Sequence, residues 1–138
     1  MVKMVQKYYM GLGHIAIHTV SIEDSLAFYE KLGGKLYQRD SIVKPDGVLK
    51  LALVDLAGFR LELLEPPEGA VIPSGEGAIP HFAIYVNDLD AAVAEMKQAG
   101  VTSFRTAEKT VRPETFGGLQ NWFLTGPSGE VIELLQML

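Results

Sequence analysis

The chain holds three histidines, and two of them, His14 and His81, occupy matching places in two similar stretches. "GHIAIHTVSIEDSLAFYEKLGG" from Gly13 lies over "PHFAIYVNDLDAAVAEMKQAGV" from Pro80 without a gap. Two glutamates recur in the same way, Glu62 in "RLELLEP" and Glu133 in "VIELLQM". Each sits in a run that reads as a buried strand. In such a strand Glu133 shares a face with Val131 and Leu135, while Ile132 and Leu134 fill the other, and neither face reads as water-exposed. A buried carboxylate with no partner is costly, so it is neutralised, paired or given to a metal. A lone strand histidine is more often a hydrogen-bonded core residue than a ligand. Packing, however, calls for volume and shape, not for ionisable groups repeated at symmetric places. His14, Glu62, His81 and Glu133 together therefore point to one site for a divalent transition ion, with room for water or substrate oxygens if the ion is six-coordinate.

The elements that must position these groups also repeat. Each similar stretch reads as a short strand, a turn with a helix N-cap (Ser21, Asp88), an amphipathic helix and a glycine stop (Gly33, Gly100). Three strand-like runs follow in each half: "GKLYQRD", "VLKLALVDL" and "FRLELLEP", then "SFRTAEKT", "LQNWFLT" and "EVIELLQML". The fold class is thus α+β, two tandem βαβββ modules. Their expected bounds are 11–66 and 79–138 within one domain, 11–138. A Pro- and Gly-rich linker spans 67–78, and 1–10 is a leader outside the domain. One module alone would expose the apolar face of a small sheet, so the two are expected to pack as a unit. If the first and last strands of each module are neighbours, the four ligands can converge.

With 48% hydrophobic and 21% charged residues over 138 positions, the chain has the proportions of one soluble globular domain. It has no cysteine, which removes disulfides, thiolate zinc sites and cysteine nucleophiles. Cytoplasm is the default compartment. A formal charge of -5 without a Lys/Arg stripe argues against nucleic acid. No stretch approaches the length of a membrane span or has the layout of a secretory signal.

"HIAIHTVSIEDSLAFYEKLG", "RLELLEP" and "GPSGEVIELLQ" resemble the vicinal oxygen chelate superfamily, and the resemblance covers Gly11 to Leu138. That superfamily includes glyoxalase I, methylmalonyl-CoA epimerase, extradiol dioxygenases, fosfomycin-modifying enzymes and bleomycin-binding proteins. The resemblance implies a glyoxalase-like fold, a homodimer, and ligands at His14, Glu62, His81 and Glu133 for nickel, cobalt, zinc or manganese. It also implies a metal-bound glutamate that shuttles a proton, so Glu133 and Glu62 are the expected catalytic groups, with Glu133 slightly preferred.

An ion holding two neighbouring substrate oxygens stabilises an enediolate by Lewis-acid polarisation, which is the chemistry of a lyase or isomerase acting on a small molecule. By alternation His18, Tyr85 and Arg60 share faces with His14, His81 and Glu62 and are the expected substrate-binding residues. An inward guanidinium suits a planar anion, although Arg60 could instead pair with Glu62. Arg112 and Trp122 are further candidates, for a lid and an apolar wall. In the glutathione-dependent glyoxalases that the chain resembles, the place of His18 is held by arginine, which argues against glutathione here. Two alternatives remain: a ring-cleaving dioxygenase, which needs an open coordination place, and a non-enzymatic drug-binding protein of the same fold.

Overall fold

A computed structural model of the protein describes residues 7, 8, 10, 12–68, 79 and 81–138. Most of the expected leader and linker lies outside them. The first half runs β1 (Ile15–His18), α1 (Ile22–Lys31), β2 (Lys35–Lys44), β3 (Gly47–Leu56) and β4 (Phe59–Glu65). The second runs β5 (Phe82–Tyr85), α2 (Leu89–Gln98), β6 (Thr110–Arg112), a 3-10 turn (Thr115–Gly117), β7 (Leu119–Thr125) and β8 (Val131–Met137). The two expected βαβββ modules are present. "SFRTAEKT" departs from expectation: Phe104 makes one isolated bridge to Leu124, and pairing resumes only at Thr110. Its Thr106 carbonyl accepts instead from the indole N–H of Trp122, at 3.0 Å, and Thr106 Oγ1 donates to the Glu108 carbonyl.

Each half forms a four-stranded sheet, in the orders β1-β4-β3-β2 and β5-β8-β7-β6. The first strand pairs parallel with the last, and the other pairings are antiparallel. A parallel neighbour needs a crossover, which the helix supplies. Both helices start as the sequence indicates. Ser21 accepts from the Asp24 N–H and Asp88 from the Ala91 N–H. Gly33 (φ 91°) and Gly100 (φ 96°) end them in the left-handed region, where a side chain would be strained.

A second tie at each helix start has no counterpart in the sequence-based expectations. The Ile22 N–H donates to Glu65 Oε1 at 2.8 Å, and the Leu89 N–H donates to Gln136 Oε1 at 2.7 Å. Glu65 and Gln136 lie three residues beyond Glu62 and Glu133, so each last strand binds its own helix N-terminus through the face opposite that glutamate. At α1 the carboxylate also meets the positive end of the helix dipole.

The two halves share one core. Ile15, Ile17, Leu61 and Leu63 of the first sheet join Ile84, Leu124, Ile132 and Leu134 of the second, with Ile22, Tyr29, Leu89 and Val93 from the helices. Phe59 meets Phe82 edge to face across the halves. Tyr29, fully buried, donates its hydroxyl to Glu130 Oε2 at 2.8 Å. Burial, and then the Glu130 carboxylate, push that phenol far above its usual pKa, so it stays a donor. No helix among the described residues is long and apolar enough to cross a membrane.

Tyr29→Phe preserves the ring and removes one half of a bond that joins the modules. It is expected to destabilise the fold by about 1–2 kcal/mol, read as a lower urea midpoint at unchanged slope, because the Glu130 oxygen loses its buried donor.

Candidate functional site

Parallel pairing puts Ala16 opposite Glu62 and Ala83 opposite Glu133. His14 and His81 stand just ahead of their strands, two residues before these alanines, and so reach the same faces. His14 Nε2 lies 3.5 Å from Glu62 Oε1, and His81 Nε2 lies 3.1 Å from Glu133 Oε1. Neither carboxylate is sealed from water: the side chains of Glu62 and Glu133 are 24% and 12% exposed. Their cost is therefore smaller than that of the fully buried charge the sequence suggested.

These spacings bear on whether a metal fits. Two donors bound at about 2.1 Å to one cation, at angles between a right angle and the tetrahedral angle, stand roughly 3.0–3.4 Å apart. Each His–Glu pair is close to that separation before any ion enters. The small side chains of Ala16 and Ala83, both exposed, leave space beside each carboxylate. Imidazole and carboxylate together suit divalent zinc, cobalt, nickel or manganese.

The chain brings the four expected ligands together as two pairs, not as one cluster. Among the described residues no three His, Cys, Asp or Glu side chains gather at a point. Alternation explains why. The residues beside each ligand, Ile15 and Leu61 in one sheet and Ile132 and Leu134 in the other, all enter the common core. The ligand faces of both sheets are therefore turned away from that core.

The other expected residues are distributed around these pairs. His18 ends β1 opposite Leu64, and Tyr85 ends β5 opposite Leu135. Both are exposed, on the faces carrying His14 and His81. Arg60 shares the Glu62 face but pairs with Asp55 and not with Glu62, and its side chain stays 34% exposed. Its Nε donates to Asp55 Oδ1 at 2.8 Å, and its guanidinium lies 3.8 Å from the centre of the Tyr37 ring. The hydrogen bond to Asp55 raises its pKa further, against an opposing effect of desolvation. Arg60 and Asp55, with Leu12, Gly13, Gly58 and Phe59, line a recess of about 350 Å³ next to His14 in the chain.

Trp122 does not form the apolar wall expected of it. Its ring packs against Phe104 and the core, on the face opposite Glu133. Its neighbour Phe123 takes that role: it stands opposite Glu133 in the sheet and meets the His81 ring edge to face, 5.4 Å between centroids. Arg112, at the end of β6, pairs with Leu119, about 13 Å along β7 from Phe123 at ordinary strand rise. Sequence reasoning also missed Asn121, which is 8% exposed and donates from Nδ2 to Glu133 Oε2 at 2.8 Å. The available signal was an amide in the apolar run "LQNWFLT", two residues from the one facing Glu133.

A family model described as the Glyoxalase/Bleomycin resistance protein/Dioxygenase superfamily matches residues 11–134. The chain belongs to this superfamily. It is 31% identical over 130 residues to the uncharacterized protein YwkD of Bacillus subtilis, a match covering 91% of this chain and 96% of that one. It is 26% identical over 98 residues to the mitochondrial methylmalonyl-CoA epimerase of Homo sapiens, covering 67% of this chain and 55% of the epimerase. Among solved structures, a glyoxalase/bleomycin resistance protein/dioxygenase from Alicyclobacillus acidocaldarius superposes with a TM-score of 0.66 at 25% identity, covering 94% of this chain and 92% of that one. The superfamily includes enzymes and commonly uses divalent metals.

If the space beside each carboxylate matters, filling it should be selective. Ala83→Leu places a larger side chain beside Glu133 on an exposed position. It is expected to leave the urea midpoint within about 0.5 kcal/mol of wild type and to weaken cobalt(II) binding at least tenfold in a calorimetric titration.

Proposed function

We propose that the protein is a divalent-metal-dependent lyase or isomerase of the glyoxalase and epimerase type, acting in the cytoplasm on a small oxygenated acid, thioester or hemithioacetal. The observation that carries this reading is the same His–Glu pair built twice, with nitrogen and oxygen 3.5 Å apart in one copy and 3.1 Å in the other. The ligands are His14, Glu62, His81 and Glu133, with nickel, cobalt, zinc or manganese as the ion. Because the two pairs lie on faces turned from a shared core, we place the complete site between two chains of a homodimer. His14 and Glu62 of one chain would meet His81 and Glu133 of its partner.

A bound divalent ion supplies Lewis-acid polarisation of two neighbouring substrate oxygens, which eases removal of a proton alpha to a carbonyl. The protein's own groups do the rest. The histidines hold their ring nitrogens toward the carboxylates. One of Glu62 and Glu133 accepts the proton and returns it to the substrate carbon. Phe123, Leu135, Leu53 and Leu64 line the same faces and exclude water from the reacting carbon. His18 and Tyr85, at the strand ends, are placed to hydrogen-bond the remainder of the substrate. Arg60, already paired with Asp55, contributes through the recess it lines and not as a bare cation.

Two variants test both the ligand set and its division between chains. A first carries His14→Ala with Glu62→Ala, a second His81→Ala with Glu133→Ala. Each alone is expected to bind no cobalt(II), by elemental analysis after gel filtration. Mixing them under exchange should restore about a quarter of wild-type binding, because half of random dimers then hold one intact site. No recovery on mixing would overturn the shared site, and a metal-free wild-type protein after growth in supplemented medium would overturn the metal reading. Oxygen uptake with a catechol would instead favour a dioxygenase.

A further inference from the structure

The first sheet carries a row of charges that the second lacks. Arg60 lies two residues before Glu62 on the same face, about 7 Å along β4 at ordinary strand rise. It pairs in register with Asp55, and Asp55 pairs on its other side with Lys35, so one acid stands between two bases on the face that carries Glu62. Continued one residue back, the β1–β4 register sets His14 beside Arg60 at the end of this row. The second half has Val131 in the place of Arg60 and Thr125 in the place of Asp55, paired in the same way but uncharged. Arg60 is also aimed. Its Nε donates to Asp55 Oδ1 at 2.8 Å, and its guanidinium lies 3.8 Å from the centre of the Tyr37 ring. Tyr37 is the residue passed over where the β2–β3 register shifts, between Leu36 and Gln38, and a bulge of this kind redirects a side chain. The register that sets Asp55 against Arg60 is closed by a turn in which Ala57 (φ 51°) and Gly58 (φ 82°) are both left-handed, a conformation that alanine adopts at a cost. With Leu12, Gly13 and Phe59, Arg60 lines the recess of about 350 Å³ that reaches back toward His14.

We infer that Arg60, set in place by Asp55 and Tyr37, is a specificity-determining residue, and that the substrate carries a carboxylate beyond the oxygens that chelate the ion. The inference rests on the metal-site reading above and adds the far end of the substrate to it. The bond to Asp55 aims the cation without using it up, because a guanidinium has further N–H donors once Nε is engaged. Arg60 and Lys35 together outweigh the single charge of Asp55, so the row lacks one anion. A planar fork of donors matches a carboxylate better than it matches a neutral group. Because Asp55 and Tyr37 already hold the side chain, little of its freedom remains to be lost when a ligand arrives. Leu12 and Phe59 give the recess an apolar side for the carbon chain between the two ends. With Val131 and Thr125 at the matching places of the other half, only one end of the site attracts an acid, and the substrate binds in one orientation.

The test uses the whole protein loaded with cobalt(II) and chelators that differ only at their far end. These are the monohydroxamates of succinic, glutaric and adipic acids, each set against the hydroxamate in which a methyl group replaces the carboxylate. Affinities are read from the cobalt visible spectrum. In wild type the acid is expected to bind at least about tenfold more tightly than its methyl counterpart at one of the three lengths. Arg60→Leu should bring that ratio to about one, and Arg60→Lys should leave an intermediate value, because an ammonium keeps the charge and loses the fork. Tyr37→Leu, at an exposed bulge, should lower the ratio about threefold and serves as the second variant if Arg60→Leu fails to fold. Equal affinities for acid and methyl forms at every length would overturn the inference while leaving the metal site standing. A preference that survives in Arg60→Leu would belong to the charge of the ion and would overturn it as well. A wild-type protein that takes up no cobalt(II) would remove the metal reading, and the inference with it.

Discussion

The arrangement depends on one pairing: in each half the first strand lies parallel beside the last, within sheets otherwise antiparallel. A parallel neighbour cannot be reached by a tight turn, so the chain must cross over through a helix. That crossover carries the residue just ahead of the first strand to the middle of the last, where His14 meets Glu62 and His81 meets Glu133. The last strand then serves two purposes on its two faces. Glu62 and Glu133 point to one side, while Glu65 and Gln136, three residues on, point to the other and hold the N-termini of the helices. Anything that shifted the parallel register by one residue would turn both sets at once. The His–Glu pair and the helix anchor are thus fixed by the same hydrogen-bonded ladder.

Much of this was legible because duplication makes chemistry conspicuous. A single histidine or glutamate in a strand is ambiguous, but the recurrence of His14 at His81 and Glu62 at Glu133 singles out two equivalent pairs, and the fold brings each pair together. The same recurrence gave the strand, helix and three-strand order, the N-caps at Ser21 and Asp88, and the glycine stops at Gly33 and Gly100. What repetition could not supply was the sense in which the halves meet. Alternation assigns residues to faces, yet it does not say which faces of two different sheets look at each other. That choice rests on long-range packing of Ile15, Leu61, Ile132, Leu134 and the helices, and it turned the faces carrying Glu62 and Glu133 outward from a common core.

The residues that escaped the sequence reading share a physical trait: their roles depend on a partner far away in the chain or on a departure from the repeat. Glu65 was read as the end of a strand, because nothing local shows that it receives the Ile22 N–H across 43 positions. Arg60 was expected to face a substrate anion, but its pairing with Asp55 follows from β3–β4 register, which a sequence does not display. Trp122 was expected as an apolar wall of the site, but the β7–β8 register sets it opposite Leu134 and sets Phe123 opposite Glu133. A large aromatic draws attention to itself, and the core claimed the indole while the phenyl ring took the site.

The glutamate that looks anomalous in "VIELLQM" is less so once the faces are separated. Val131 and Leu135 made its face look buried, although the Glu133 side chain keeps 12% of its surface exposed. The apolar residues on that face adjoin Glu133 and do not belong to the shared core cluster. Each of its oxygens has a partner, His81 Nε2 at 3.1 Å and Asn121 Nδ2 at 2.8 Å, as a carboxylate withdrawn from water requires. Glu62 has one, at longer range, beside leucines. The two sheets diverge at the matched positions Leu51 and Asn121, and only the amide can donate to the carboxylate on its face, so the repeat keeps both glutamates while giving them unequal hydrogen-bond support.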